Sequence, residues 1–116
     1  MPTTRLSGRY RGRCRAVVHG GLVYTVSTDT TSADNIAEQT RNALQALETN
    51  LDDAGSSKQA LLQVTIYLSD IAMKPEMDEV WCDWIGTQEN WPQRACVGVD
   101  LAGDDMIEIV ATAALI

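Results

Sequence analysis

Arg15-Ala16-Val17-Val18-His19-Gly20-Gly21-Leu22-Val23-Tyr24-Thr25-Val26 is two β-rich runs broken by a pair of glycines. Both glycines accept positive φ without steric cost, so the spacing predicts a hairpin closed by a two-residue primed turn. Downstream, Ser27 to Ser32 is rich in Ser, Thr and Asp and reads as a loop. A helix is expected next, from an N-cap at Ser32 or Asp34 to about Ala54, with Gly55 as its stop. Ile36, Ala43, Leu44, Leu47 and Leu51 recur at helical spacing and leave Glu38, Arg41, Gln45, Glu48 and Asp52 on the wet side. Val64-Thr65-Ile66-Tyr67-Leu68 reads as a strand, with Leu62, Val64, Ile66 and Leu68 on one side.

Pro75 suits the first turn of a second helix, where a missing N–H costs nothing. Met77, Val80, Trp81, Trp84 and Ile85 would form its buried stripe, and Asn90-Trp91-Pro92 ends it. Ala95–Leu101 and Met106–Leu115 read as two further strands joined by a short hairpin loop, Ala102 to Asp105. The order β-β-α-β-α-β-β predicts a single-domain α+β fold over residues 1–116, a mixed sheet with both helices on one face. Residues 1–14 are an arginine-rich arm or a first strand. Tyr67, Cys96, Gly98, Met106, Val110 and Ala114 are expected on the helix-free face. So apolar a face calls for cover by another subunit.

The 116 residues suit one domain, and 45% apolar with 22% charged residues excludes disordered and low-complexity classes. No run approaches the roughly 18–20 apolar residues of a membrane span, and Met1 to Arg15 has no secretory signal pattern. Cys14, Cys82 and Cys96 are widely spaced and odd in number, and His19 is the one histidine. That pattern fits a reducing cytoplasmic setting and offers neither a disulfide framework nor a metal-ligand cluster. Net charge is −7, and all sixteen acids lie beyond residue 20, which argues against nucleic-acid binding by the whole chain. Arg9, Arg11, Arg13 and Arg15 alternate, however, and an extended segment would show all four on one face, as a phosphate or RNA stripe or as a counter-charge to the acidic body.

Two polar residues stand in apolar strands. Arg94 is either a surface ion-pairing arginine or a planar fork set to grip a carboxylate. Glu108, inside Met106-Ile107-Glu108-Ile109-Val110-Ala111, is either solvated at an edge or partly desolvated and able to exchange a proton. Pairing of the last two strands would bring Glu108 towards Arg94 and Cys96. Cys96 itself reads as a small buried thiol, since no neighbouring base is apparent.

Pro92-Gln93-Arg94-Ala95-Cys96-Val97 followed by Ile107-Glu108-Ile109 resembles the Rid family of small reactive-intermediate deaminases, also called YjgF/UK114 or L-PSP proteins. Gln39-Thr40, Asn42-Ala43-Leu44, Ala54-Gly55 and Thr65 to Asp70 extend the likeness over about Val17 to Ala114. The resemblance implies a chorismate-mutase-like fold, a homotrimer with ligand clefts between subunits, and no cofactor or metal. It further implies hydrolysis of 2-imino or enamino acids to 2-oxo acids and ammonia. On that pattern Arg94 anchors the substrate carboxylate, Glu108 activates water, and the backbone at Cys96 lines the pocket. Some relatives are described as ribonucleases or translation inhibitors, so a non-catalytic ligand-binding or RNA-interacting protein is the alternative. The sequence departs from the deaminase pattern at four places, one of them a final hairpin that is one residue shorter. Arg13 stands where those members carry a tyrosine, with Tyr10 three residues away; Val26-Ser27-Thr28 replaces Ser-Gly-Gln; Asp78 replaces a frequent asparagine. Arg13 is therefore a candidate substrate-binding residue of a divergent pocket, with a reach to a second anionic group.

Overall fold

In a computed structural model, which describes residues 2–116, the chain forms β1 (Thr4–Ser7), β2 (Cys14–His19), β3 (Leu22–Thr28), α1 (Ile36–Ala54), β4 (Leu61–Leu68), α2 (Lys74–Ile85), β5 (Gln93–Gly98) and β6 (Ile107–Ala114). The expected order is retained, with β1 added in front. The fold is α+β, one six-stranded mixed sheet in the order β1-β2-β3-β6-β4-β5 with two helices packed on it. Among the described residues only β4 and β5 pair in parallel. Among the described residues no helix is long and apolar enough to cross a membrane.

Gly20 and Gly21 sit at φ 61° and 82° between the paired His19 and Leu22, the positive-φ pair a tight β2–β3 turn requires. The first helix starts later than expected. Ser32 is left-handed at φ 53°, which no helical residue tolerates, and Asn35 is the cap, its side chain accepting from the Glu38 N–H at 2.9 Å. Gly55, at φ 89°, ends the helix as the Ser56 N–H bonds back to the Leu51 carbonyl.

Val23, Val64, Ile66, Leu68, Ile107, Ile109 and Ala113 alternate along their strands and meet Ala43, Leu44, Leu47 and Leu51 of α1 and Met77, Trp81 and Ile85 of α2. Leu62 is not in this layer. The β4–β6 register slips between Leu61 and Gln63, so Leu61 turns inward and Leu62 is left exposed.

The last two strands do not form a hairpin. β3 and β4 run parallel with a gap between them, and β6 fills it, antiparallel to both. The α2 crossover delivers β5 to the other side of β4, as the sheet's edge. This changes which residues share a face. Cys96 pairs with buried Ile66 and Gly98 with buried Leu68, so both belong to the helix side, and Met106 likewise packs partly against the core. The open face carries Tyr67 and Val110 as expected and Tyr24 and Val97 in addition, with Tyr24, Val97 and Val110 more than 40% exposed.

Candidate functional site

Arg94 lies opposite buried Val64, on the helix side of β5. Its Nη2 donates to Asp78 Oδ1 at 2.6 Å, and its guanidinium stands over the Trp81 ring at 5.4 Å. Lys74 reaches the other oxygen of Asp78 at 2.8 Å, one helical turn back. Burial alone would raise the Asp78 carboxyl, but the two cations outweigh it and hold it below the usual carboxylate range. The Arg94 fork is thus fixed from one side. Among the described residues its Nη1 has only the Met77 sulfur as a partner, at 3.9 Å, which leaves donor capacity for a second carboxylate. Cys96, two residues on, is half-buried, and burial pushes its thiol up despite the Arg94 and Lys74 charges. It stays a neutral thiol rather than a ready nucleophile.

Glu108 is elsewhere. It pairs with Tyr67 on one side and Thr28 on the other, on the open face and half-buried. Because β4 separates β5 from β6, and because Arg94 and Glu108 project to opposite sides of the sheet, one chain does not bring them together. The expected approach of Glu108 to the Arg94–Cys96 strand through hairpin pairing is corrected by this topology.

A cavity of about 290 Å³ opens between the arm that precedes β2, the end of β3 and α1, and Glu108 is not among the residues that line it. Thr28, the register partner of Glu108, lines it, together with Ser27, Tyr10, Arg13, Arg9 and Asn50. The arginines do not form a stripe. A turn over positions 9–12, with Gly12 at φ 86°, folds the arm back before β2 begins. Arg13 and Arg9 consequently converge on the Tyr10 ring, at 4.6 and 5.7 Å. Tyr10 and Arg13, three residues apart in sequence, therefore line the same space. Arg15 is skipped in the β1–β2 register, where Leu6 faces Ala16 and Ser7 faces Cys14, and its side chain swings to α1. There it meets Asp53 at 3.0 Å and Asn50 Oδ1 at 3.1 Å. Asn50 in turn donates to Thr25 Oγ1 at 3.0 Å and the Val26 carbonyl at 3.2 Å, tying α1 to the cavity wall.

Sequence reasoning missed Asp78 as the partner of Arg94, and Asn50 and Ser27 as cavity residues. The replacement of an expected asparagine by Asp78 was the available signal for the first. Asp29, next along the chain from Thr28, was also missed. Its buried carboxylate accepts from the Thr31 and Ala33 N–H groups at 2.8 and 2.7 Å and from the Thr31 hydroxyl and Asn42; burial opposes ionisation, but these bonds lower its carboxyl. Gln39, fully buried, clamps the β5–β6 connection by donating to the Asp104 carbonyl and accepting from the Met106 N–H. Among the described residues no cluster of three or more His, Cys, Asp or Glu side chains is placed to hold a metal ion.

Comparison with known proteins supplies the lineage. The family model described as Endoribonuclease L-PSP matches residues 5–115. A RutC family protein of Haemophilus ducreyi is 29% identical over 101 residues, 86% of either chain. A YjgF family member from Neisseria meningitidis superposes with a TM-score of 0.92 at 30% identity, over 100% of this chain and 97% of that one. A YjgF/YER057c/UK114 family member from Mycobacterium tuberculosis gives 0.89 at 31% identity, over 98% and 100%. With nearly the whole chain matched in sequence and in fold, the protein belongs to the Rid family, the YjgF/L-PSP proteins.

Proposed function

We propose that this Rid family protein is a cytoplasmic hydrolase of 2-imino and enamino acids, assembled as a homotrimer whose clefts combine Arg94 of one subunit with Glu108 of the next. The observation that carries this reading is the placement of the two residues on opposite sides of one sheet, Glu108 on an apolar face that no helix covers. A ligand can touch both only where that face meets the β5 edge of another copy. Exposed Tyr24, Val97 and Val110 are the side chains such packing would bury.

In the reaction, Arg94 grips the substrate carboxylate with the donors Asp78 leaves free, fixing the imine carbon. Glu108 accepts a proton as water adds to that carbon, giving a carbinolamine. Glu108 returns that proton to nitrogen, and as the C–N bond breaks the hydroxyl oxygen forms the carbonyl and gives its own proton back to Glu108, releasing ammonia and the 2-oxo acid. One water is consumed, and the chain's own residues suffice for the proton traffic. Neutral Cys96 takes no covalent part. The alternative, a non-catalytic ligand-binding or RNA-interacting protein, loses one of its supports, since the turn at positions 9–12 interrupts the extended arginine stripe.

The test generates imino acids in situ with an amino-acid oxidase and follows their loss by semicarbazide trapping. The wild type should accelerate the loss. Glu108→Gln should lower turnover by roughly 10²–10⁴-fold, the usual worth of general acid–base help, while 2-oxo acid binding persists. Full turnover in Glu108→Gln refutes its role, and a wild type inactive on every imino acid tried refutes the reaction.

A further inference from the structure

The carboxylate end of the site is a group of three charges rather than a lone arginine. Lys74 and Asp78 lie one turn apart on α2, and Asp78 reaches across to Arg94 on β5. Asp78 gives one oxygen to each cation, Oδ1 to Arg94 Nη2 at 2.6 Å and Oδ2 to Lys74 Nζ at 2.8 Å. It is shared between them and does not fill both prongs of the Arg94 fork. The half-buried Cys96 thiol on β5 feels the charges of the same three residues. The group opens to solvent on the Lys74 side, where that side chain is 43% exposed against 19% for Arg94. Two cations and one carboxylate leave a single positive charge unbalanced. The asparagine that the resemblance leads one to expect in place of Asp78 would leave two.

We infer that Asp78 is a specificity-determining residue: it trims the Arg94–Lys74 site to one net positive charge, so that the site takes substrates with a single carboxylate. The inference rests on the imine-hydrolysis reading and names its substrate class, 2-imino acids with uncharged side chains. A carboxylate on the Arg94 donors that Asp78 leaves free neutralises the group. A second anionic group on the same small molecule then finds no cation to claim, because Arg94 is spent and Lys74 is held by Asp78. It meets the Asp78 charge as well. Like charges about 6 Å apart near a protein surface repel by enough to cost tenfold or more in affinity. Loss of the Asp78 charge would remove that repulsion and free Lys74 for the second group at the same time. The effect therefore falls on the choice of ligand and not only on its affinity.

Calorimetric titration with two product-like acids of equal chain length tests this: 2-oxopentanoate, with an uncharged tail, and 2-oxoglutarate, whose tail ends in a carboxylate. The wild type should bind 2-oxopentanoate about tenfold or more tighter. Arg94→Gln should lose both acids, which ties the measurement to this site. Asp78→Asn should move the ratio of the two affinities about tenfold or more towards 2-oxoglutarate. That variant also frees Arg94 from its anchor and changes both affinities together, so the ratio is the readout. Lys74→Gln added to Asp78→Asn should restore the preference for 2-oxopentanoate, since the group returns to one positive charge. Asp78→Glu should keep it. A residue that merely orients Arg94 would not have its loss repaired by removal of a lysine. A wild type that binds the two acids equally, or prefers 2-oxoglutarate, overturns the inference. So does an unchanged ratio in Asp78→Asn, a ratio that stays shifted in the double variant, or binding that survives Arg94→Gln. Failure of the reaction is separable. The wild-type preference without any imine hydrolysis leaves a monocarboxylate site and removes the enzyme, whereas hydrolysis without the preference removes the role of Asp78 alone.

Discussion

Two groups of arginines in this chain are held in opposite ways. Arg94 is locked by Asp78, which is itself bridged to Lys74, and lies over Trp81. Arg9 and Arg13 lean on the uncharged ring of Tyr10 and have no carboxylate at ion-pairing distance among the described residues. An arginine already bonded on one edge has lost its side-chain freedom before ligand arrives, so its remaining donors act at little entropic cost. An arginine stacked on an aromatic ring keeps more adjustment and suits an end group of variable reach. The first arrangement suits a contact of fixed geometry, the second an adaptable one.

The largest effect should come from breaking the locked pair. Arg94→Lys keeps the charge and loses the fork, so kcat/KM for imine hydrolysis should fall by about 100-fold, near the loss of two charge-assisted bonds. A change below about threefold would show that a point charge suffices there. Asp78→Asn should be milder, about tenfold in kcat/KM, because Arg94 survives but is no longer oriented. Recovery of the loss by Asp78→Glu would support positioning.

The same pair makes a pH statement. Asp78 is held below its ordinary carboxyl value when folded, so its stabilising contribution is present above that value and is lost as pH falls through the folded one. Asp29, lowered by its hydrogen bonds, acts in the same direction. Urea midpoints should fall with pH on the acid side, and less steeply in Asp78→Asn than in the wild type. An identical acid limb in both would mean that the pair contributes nothing to stability. The smallest effect belongs to the unmatched group. Arg13 is exposed and pairs with no carboxylate among the described residues, so Arg13→Gln should stay within about 0.5 kcal/mol of wild-type stability. A larger loss would make Arg13 a structural residue and weaken the contrast.

Local signals carried most of the fold. The Gly20-Gly21 turn, the helical spacing through Leu51, Pro75 at the start of α2 and the β-branched run from Val64 each act over a few residues, and each was legible. The strand partners of β6 were not, because a short connection from β5 favours a hairpin and nothing local reveals the gap between β3 and β4 that β6 enters. That single pairing decides that Arg94 and Glu108 face apart. Their residue types were readable as odd polar positions in apolar strands, but the Asp78 partner lies sixteen residues away across a helix–sheet contact. The arginine alternation predicted a stripe, and the positive-φ Gly12 with the skipped Arg15 turned it into a cavity wall.

The most direct test of a site shared between subunits is complementation. Arg94→Gln and Glu108→Gln, each inactive alone, are co-expressed with different tags, and mixed assemblies are isolated by tandem purification. If each cleft takes Arg94 from one subunit and Glu108 from the next, every mixed trimer regains both residues in one cleft, and imine hydrolysis should return to about a third of wild type. If mixed assemblies stay as inactive as either parent, the two residues do not meet across an interface and the shared site is contradicted.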